Sequence, residues 1–162
     1  MKTASWALAA FVAAASPIQA GGVASIERMA TCQDSWLEWT KNDPARMKTF
    51  GDDFRADFSR HGNDAFVVPK TPKTVAGLHV TQVFPESVGM GVGFSVTVDA
   101  PFDAARHNLE KVLGKPFVKC ESGDGMRTCE RQIAEQRTLT LMAEDNAKSA
   151  TTLVGCYYYY EK

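Results

Sequence analysis

Four cysteines, Cys32, Cys120, Cys129 and Cys156, are the residues of this chain whose types and spacing most directly specify a chemistry. That chemistry is oxidation to disulfides. Cys120 and Cys129 bracket the segment ESGDGMRT, with Asp124-Gly125 at its centre. Asp-Gly is a favoured pair for a two-residue type I′ hairpin loop. A loop there sets Gly123 opposite Met126. Counting outward sets Cys120 opposite Cys129 in a non-hydrogen-bonded position, where facing Cα atoms approach to about 4.5 Å. A disulfide spans that separation. The expected bridges are therefore Cys120–Cys129 and, from the cysteines that remain, Cys32–Cys156. By chain entropy the second closes the longer loop and supplies about 5 kcal/mol, against about 3 for the local one. The sharper alternative, zinc, lacks C-x-x-C pairs. No metal or cofactor is expected.

The other chemistry-bearing residues are scattered. His61 falls at a predicted helix end, where an imidazolium complements the helix dipole. His107 stands beside Arg106 and Asn108 on a solvated helix face, and His79 alternates with Leu78 and Val80, away from the core. No two of them share helical metal spacing, and H-E-x-x-H is absent. Ser95 sits in GFSVT, inside a predicted strand, not on a strand-to-helix elbow. The acidic stretch GDDFRADF (51–58) reads as the wet side of an amphipathic helix. Glu144-Asp145-Asn146 has too few oxygen ligands at the required offsets for a calcium loop. Gly123-Asp124-Gly125 is a hairpin turn with no helix behind it to cradle a phosphate. No catalytic residue is assigned. A hydrolase assembled from dispersed residues stays open, since active sites need not be local in sequence.

The compartment follows from the other end of the chain. MKTASWALAAFVAAASPIQA, residues 1–20, has a basic start at Lys2, an apolar run from Ala4 to Ala15, and Pro17 before Ile18-Gln19-Ala20. That is the pattern of a secretory signal peptide cleaved after Ala20. The run is too short to span a membrane. Four cysteines behind such a leader fit an oxidising space. The expectation is a periplasmic or secreted protein with one domain, residues 21–162. The formal net charge of -1 gives no reason to expect a nucleic-acid partner.

The elements that must position these residues read as α+β. A helix is expected over 25–41, capped by Ser25, with Ile26, Met29, Cys32, Trp36 and Leu37 on one stripe. Asp43-Pro44 starts a second helix carrying Met47, Phe50, Phe54 and Phe58, ended by His61-Gly62. Together they make an N-terminal helical hairpin. Strands follow at 65–68 and 75–84, with a turn at Pro85-Glu86-Ser87, and then at 88–98. Pro101 opens an inserted helix with Phe102, Ala105, Leu109, Val112 and Leu113 buried, stopped at Gly114. Antiparallel strands at 117–121, 126–133, 137–143 and 151–160 complete the sheet. Val118, Cys120, Cys129 and Ile133 are expected inward, and Lys119 opposite Glu130 on the outer side. Arg131 breaks the inward pattern.

Two features are left over. In strand 88–98, Gly89, Gly91, Gly93, Ser95 and Thr97 share one face. Glycines at period two mean that something approaches closely, either a helix, a ligand or a partner's chain. The second is the run Tyr157–Tyr160, directly after Cys156. Tyr158 and Tyr160 go with Cys156, while Tyr157 and Tyr159 go the other way. If that side is open, Tyr157 and Tyr159 form an aromatic anchor for a protein partner.

The stretch from Phe102 onward, with its Leu113-Gly114-Lys115-Pro116 turn leading into an antiparallel meander, resembles the repeat unit of β-lactamase-inhibitor proteins and BamE/SmpA-type envelope proteins. The resemblance covers about 60 residues and excludes the strands at 75–98. It implies protein–protein binding in the cell envelope and carries over no catalytic residue. The expectation is a non-enzymatic binding protein, an inhibitor or immunity-type antagonist. The alternative is a small-ligand or lipid carrier with the glycine face lining a cavity.

Overall fold

The structure is a computed structural model and describes residues 25–35, 45, 56–60, 62, 64–85, 87–89, 91–146 and 149–158. The expected signal peptide, most of the second expected helix, His61, Met90, Tyr159 and Tyr160 lie outside the described residues.

The described chain runs α1 (Ile26–Ala30), β1 (Phe58–Arg60), β2 (Val67–Pro69), β3 (Thr74–Val75), β4 (Leu78–Phe84), β5 (Ser87–Val88), β6 (Gly91–Val98), α2 (Phe102–Leu113), β7 (Lys119–Gly123), β8 (Met126–Ala134), β9 (Arg137–Glu144) and β10 (Thr152–Tyr158). The fold is α+β, dominated by one antiparallel sheet in the order β1-β2-β4-β6-β10-β9-β8-β7. β3 is added on β4, and β5 on β6. β10, the last strand in sequence, lies between β6 and β9 in the middle.

One row of facing residues crosses the sheet: Val67, Val83, Val96, Val154, Leu141, Cys129 and Cys120. All but the last are buried, and the row ends in the disulfide. A second row sets Phe94, Cys156 and Leu139 side by side, each fully buried. α1 and α2 pack on this face. α1 lies against β3, β6 and β10, and α2 against β9. Met29 and Ala30 from α1 join Phe102, Ala105 and Leu109 from α2 in a single apolar core.

α1 is far shorter than the 25–41 expected. Ser25 Oγ accepts from the Arg28 N–H at 3.2 Å, as a cap should. The other end stops at Ala30, because Cys32 takes a left-handed φ of 60°. Gln33 N–H then bonds Arg28 O at 2.8 Å and Cys32 N–H bonds Met29 O at 3.3 Å. This is the paired-carbonyl helix stop that usually falls on glycine. Arg28 closes it from outside with a two-point ion pair to Asp34. A cysteine gives no warning of a left-handed stop, so the apolar stripe read straight through it. Phe58, expected on the second helix, stands in β1 opposite Pro69. Ala45, Ala56 and Asp57, the other described residues of that expected helix, are helical, and the remainder of the helical hairpin lies outside the described residues.

The strand region differs in two places. The run 75–84 is cut by Ala76-Gly77, with φ of 51° and 75°, into the hairpin β3–β4. The turn expected at 85–87 lies later. β5 continues the register of β4 along β6, and Val88 pairs with Gly91 beyond the turn at Gly89. The 88–98 strand is thus a hairpin end plus β6.

α2 follows the expected Pro101-to-Gly114 span, with Gly114 left-handed at φ 65°. Its stripe is Phe102, Ala105 and Leu109, with Leu113 packed at its end. Val112, expected inward, sits to one side of that stripe and is 52% exposed.

Candidate binding surface

The glycine face is built where β6 meets β10. Gly93 faces Tyr157, and Ser95 faces Gly155. Gly93 and Gly155 are buried, and Ser95 has no exposed surface. The reason for glycine is visible at each position. A Cβ on Gly93 would run into the backbone carbonyl of Cys156 and meet Val88 Cγ2 at 2.7 Å. A Cβ on Gly155 would meet the same methyl at 2.9 Å. At Gly91 it would collide with the ring of Tyr157. The close approach expected of this face is therefore made by Val88 and Tyr157 of the chain itself. Gly89 does not belong to the face. It lies in the β5–β6 turn at φ 55°, with Met142 3.3 Å from where its Cβ would be. Alternation along β10 groups Gly155 with Tyr157, but its place beside Ser95 depends on the β6–β10 register.

The tyrosines divide as alternation requires. Tyr158 is 5% exposed on the Cys156 side, and Tyr157 is half-buried on the other. β10 is braced from below by the bridge from Cys156 to Cys32, both buried. The ring of Tyr157 is thus seated on a glycine, on a strand that is central in the sheet and covalently tied to the turn that ends α1.

A second surface lies at the far edge. The β7–β8 hairpin has the expected register, Gly123 opposite Met126 and Cys120 opposite Cys129, with Asp124 and Gly125 both left-handed. The bridge Cys120–Cys129 joins Cα atoms 4.1 Å apart. Every residue of β7 is exposed. Lys119 Nζ lies 3.6 Å from Glu121 and 3.6 Å from Glu130. These two carboxylates, Glu121 first, hold its ammonium more firmly protonated than an ordinary lysine.

The loop before β7 is pinned from two sides. Glu110 accepts from Phe117 N–H at 3.0 Å and from Arg106 Nε at 3.0 Å. The Phe117 N–H above all, with Arg106 adding to it, holds the Glu110 carboxyl below the usual range against the opposing effect of burial. Arg131 Nη1 donates to Lys115 O at 3.0 Å, which accounts for an arginine on the helix-bearing face of β8. Phe117 is buried as a result, and Val118, expected inward, turns out to water at 85% exposure. Nearby, Arg127 grips Asp103 at 2.8 and 3.1 Å with its carbon 4.4 Å over the Phe102 ring.

The remaining candidates are not assembled. His79 is exposed on β4 and His107 on α2. Ser95 is buried within β6. Asn146 donates to Glu144 at 2.8 Å in an exposed turn. Among the described residues no group of three or more His, Cys, Asp or Glu could hold a metal ion, and no helix is long and apolar enough to cross a membrane. The chain matches no known protein family, no curated protein and no solved structure.

Proposed function

We propose that this chain is exported and binds another protein of the cell envelope or the extracellular space without catalysing a reaction, as an inhibitor or immunity-type antagonist of an envelope-acting hydrolase or toxin. The observation that carries the reading is Tyr157. Its ring is half-buried, fixed against Gly91, and mounted on a disulfide-braced central strand. A tyrosine held this way loses little freedom on binding and offers both apolar area and a hydroxyl, the properties of an interface anchor. Two disulfides support the oxidising compartment. The carrier alternative needs a cavity above the glycine face. Val88 and Tyr157 stand in that space, so protein binding is preferred.

The test uses the oxidised chain as bait in an envelope extract. The reading expects one retained protein, loss of that protein's activity on stoichiometric addition, and weaker capture by Tyr157→Ala than by Tyr157→Phe. Release of a small molecule on denaturation, with no protein retained, would replace this reading by the carrier.

A further inference from the structure

We propose that β7 pairs with β7 of a second copy of this chain, antiparallel and centred on Cys120, so that Lys119 of each copy faces the partner's Glu121. This goes beyond the heterologous partner above and rests on a different edge of the molecule. β7 ends the sheet, and among the described residues no strand lies on its outer side. All five of its residues are exposed.

The hairpin register fixes which backbone groups the edge presents. Gly123 and Met126 close the two-residue turn, so Gly123, Glu121 and Lys119 direct their amides and carbonyls to β8. Cys120 and Ser122 direct theirs outward. An exposed row of this kind is a template for another strand.

The order of charges selects the occupant. Centred on Cys120, an antiparallel pair brings the two outward-facing Cys120 backbones into mutual hydrogen bonding. The neighbouring positions, Lys119 and the partner's Glu121, then meet twice by symmetry. They meet at non-hydrogen-bonded sites, where side chains come closest. Lys119, already 3.6 Å from Glu121 of its own strand and from Glu130 of its own β8, would gain the partner's Glu121 as a third carboxylate neighbour. Centring on Glu121 instead would oppose two carboxylates. The same register brings Val118, 85% exposed, to the partner's Ser122. The Cys120–Cys129 bridge holds the edge extended before any partner arrives, which reduces the ordering cost of association. Strand-edge pairing alone buries less than a standard interface, so the dimer is weak and forms at high concentration.

Sedimentation velocity on the full oxidised chain over a wide concentration range tests this. The wild type is expected to show a monomer–dimer equilibrium. Lys119→Glu alone and Glu121→Lys alone each place like charges opposite one another and weaken it by about tenfold. An equimolar mixture of the two variants restores association, because each then faces its complement. Near-UV circular dichroism verifies that both variants keep the fold. A wild type that stays monomeric throughout overturns the proposal. So do single variants that associate like the wild type, or a mixture that stays dissociated.

Discussion

The ring of Tyr157 occupies the place where the first side-chain carbon of any residue but glycine at position 91 would have to stand. The two residues lie on adjacent strands, β10 and β6, and each explains the other. Gly91→Ala should cost about 2 kcal/mol, since a ring can turn aside where backbone cannot. Tyr157→Ala should cost about 2 kcal/mol through lost packing. Denaturant unfolding of the double variant should show much less than the sum, because the collision disappears with the ring.

Gly93→Ala is the harsher change. The obstacle there is the Cys156 carbonyl, which the ladder holds in place. A loss of about 3 kcal/mol or more is expected, with no rescue by Tyr157→Ala. Comparing the two glycine variants by thermal melting separates a side-chain obstacle from a backbone one.

The two bridges should differ in both energy and access. Replacing Cys32 and Cys156 together should cost about 5 kcal/mol, and replacing Cys120 and Cys129 about 3, by the loops they close. Cys120 is exposed while Cys32 and Cys156 are buried. Mild reduction followed by alkylation and mass mapping should therefore label Cys120 and Cys129 first.

Acid should weaken the tertiary structure through three carboxyls. Arg28 lowers Asp34, Arg127 lowers Asp103, and the Phe117 N–H with Arg106 lowers Glu110. A carboxyl lowered in the folded state contributes its full stability above the ordinary range near about pH 4 and loses it as pH falls through the lower folded value. Melting temperature should drop in that window. Glu110→Gln should flatten the drop while leaving the neutral-pH fold intact.

The parts of the fold readable from sequence are those whose local chemistry has one meaning. Asp124-Gly125 set the hairpin and with it Cys120 opposite Cys129. Pro101 and Gly114 bounded α2. The misreadings came where a residue adopted a conformation its type rarely takes. Cys32 and Ala76 are left-handed without being glycine, so one helix and one strand were read too long. Val88 and Val92 kept the apolar alternation going across the β5–β6 turn, which hid it. Gly155 and Tyr157 could be assigned to one face, but their contacts with Gly91, Gly93 and Val88 depend on long-range register that no local pattern carries.

Export and covalent bracing of β10 underlie the whole account. Peptide mapping of the protein isolated from its source, with free thiols blocked at lysis, tests them together. The account predicts a chain beginning at Gly21, with Cys32 linked to Cys156, Cys120 linked to Cys129, and no blocked thiol. An intact leader with alkylated Cys32 and Cys156 would contradict it.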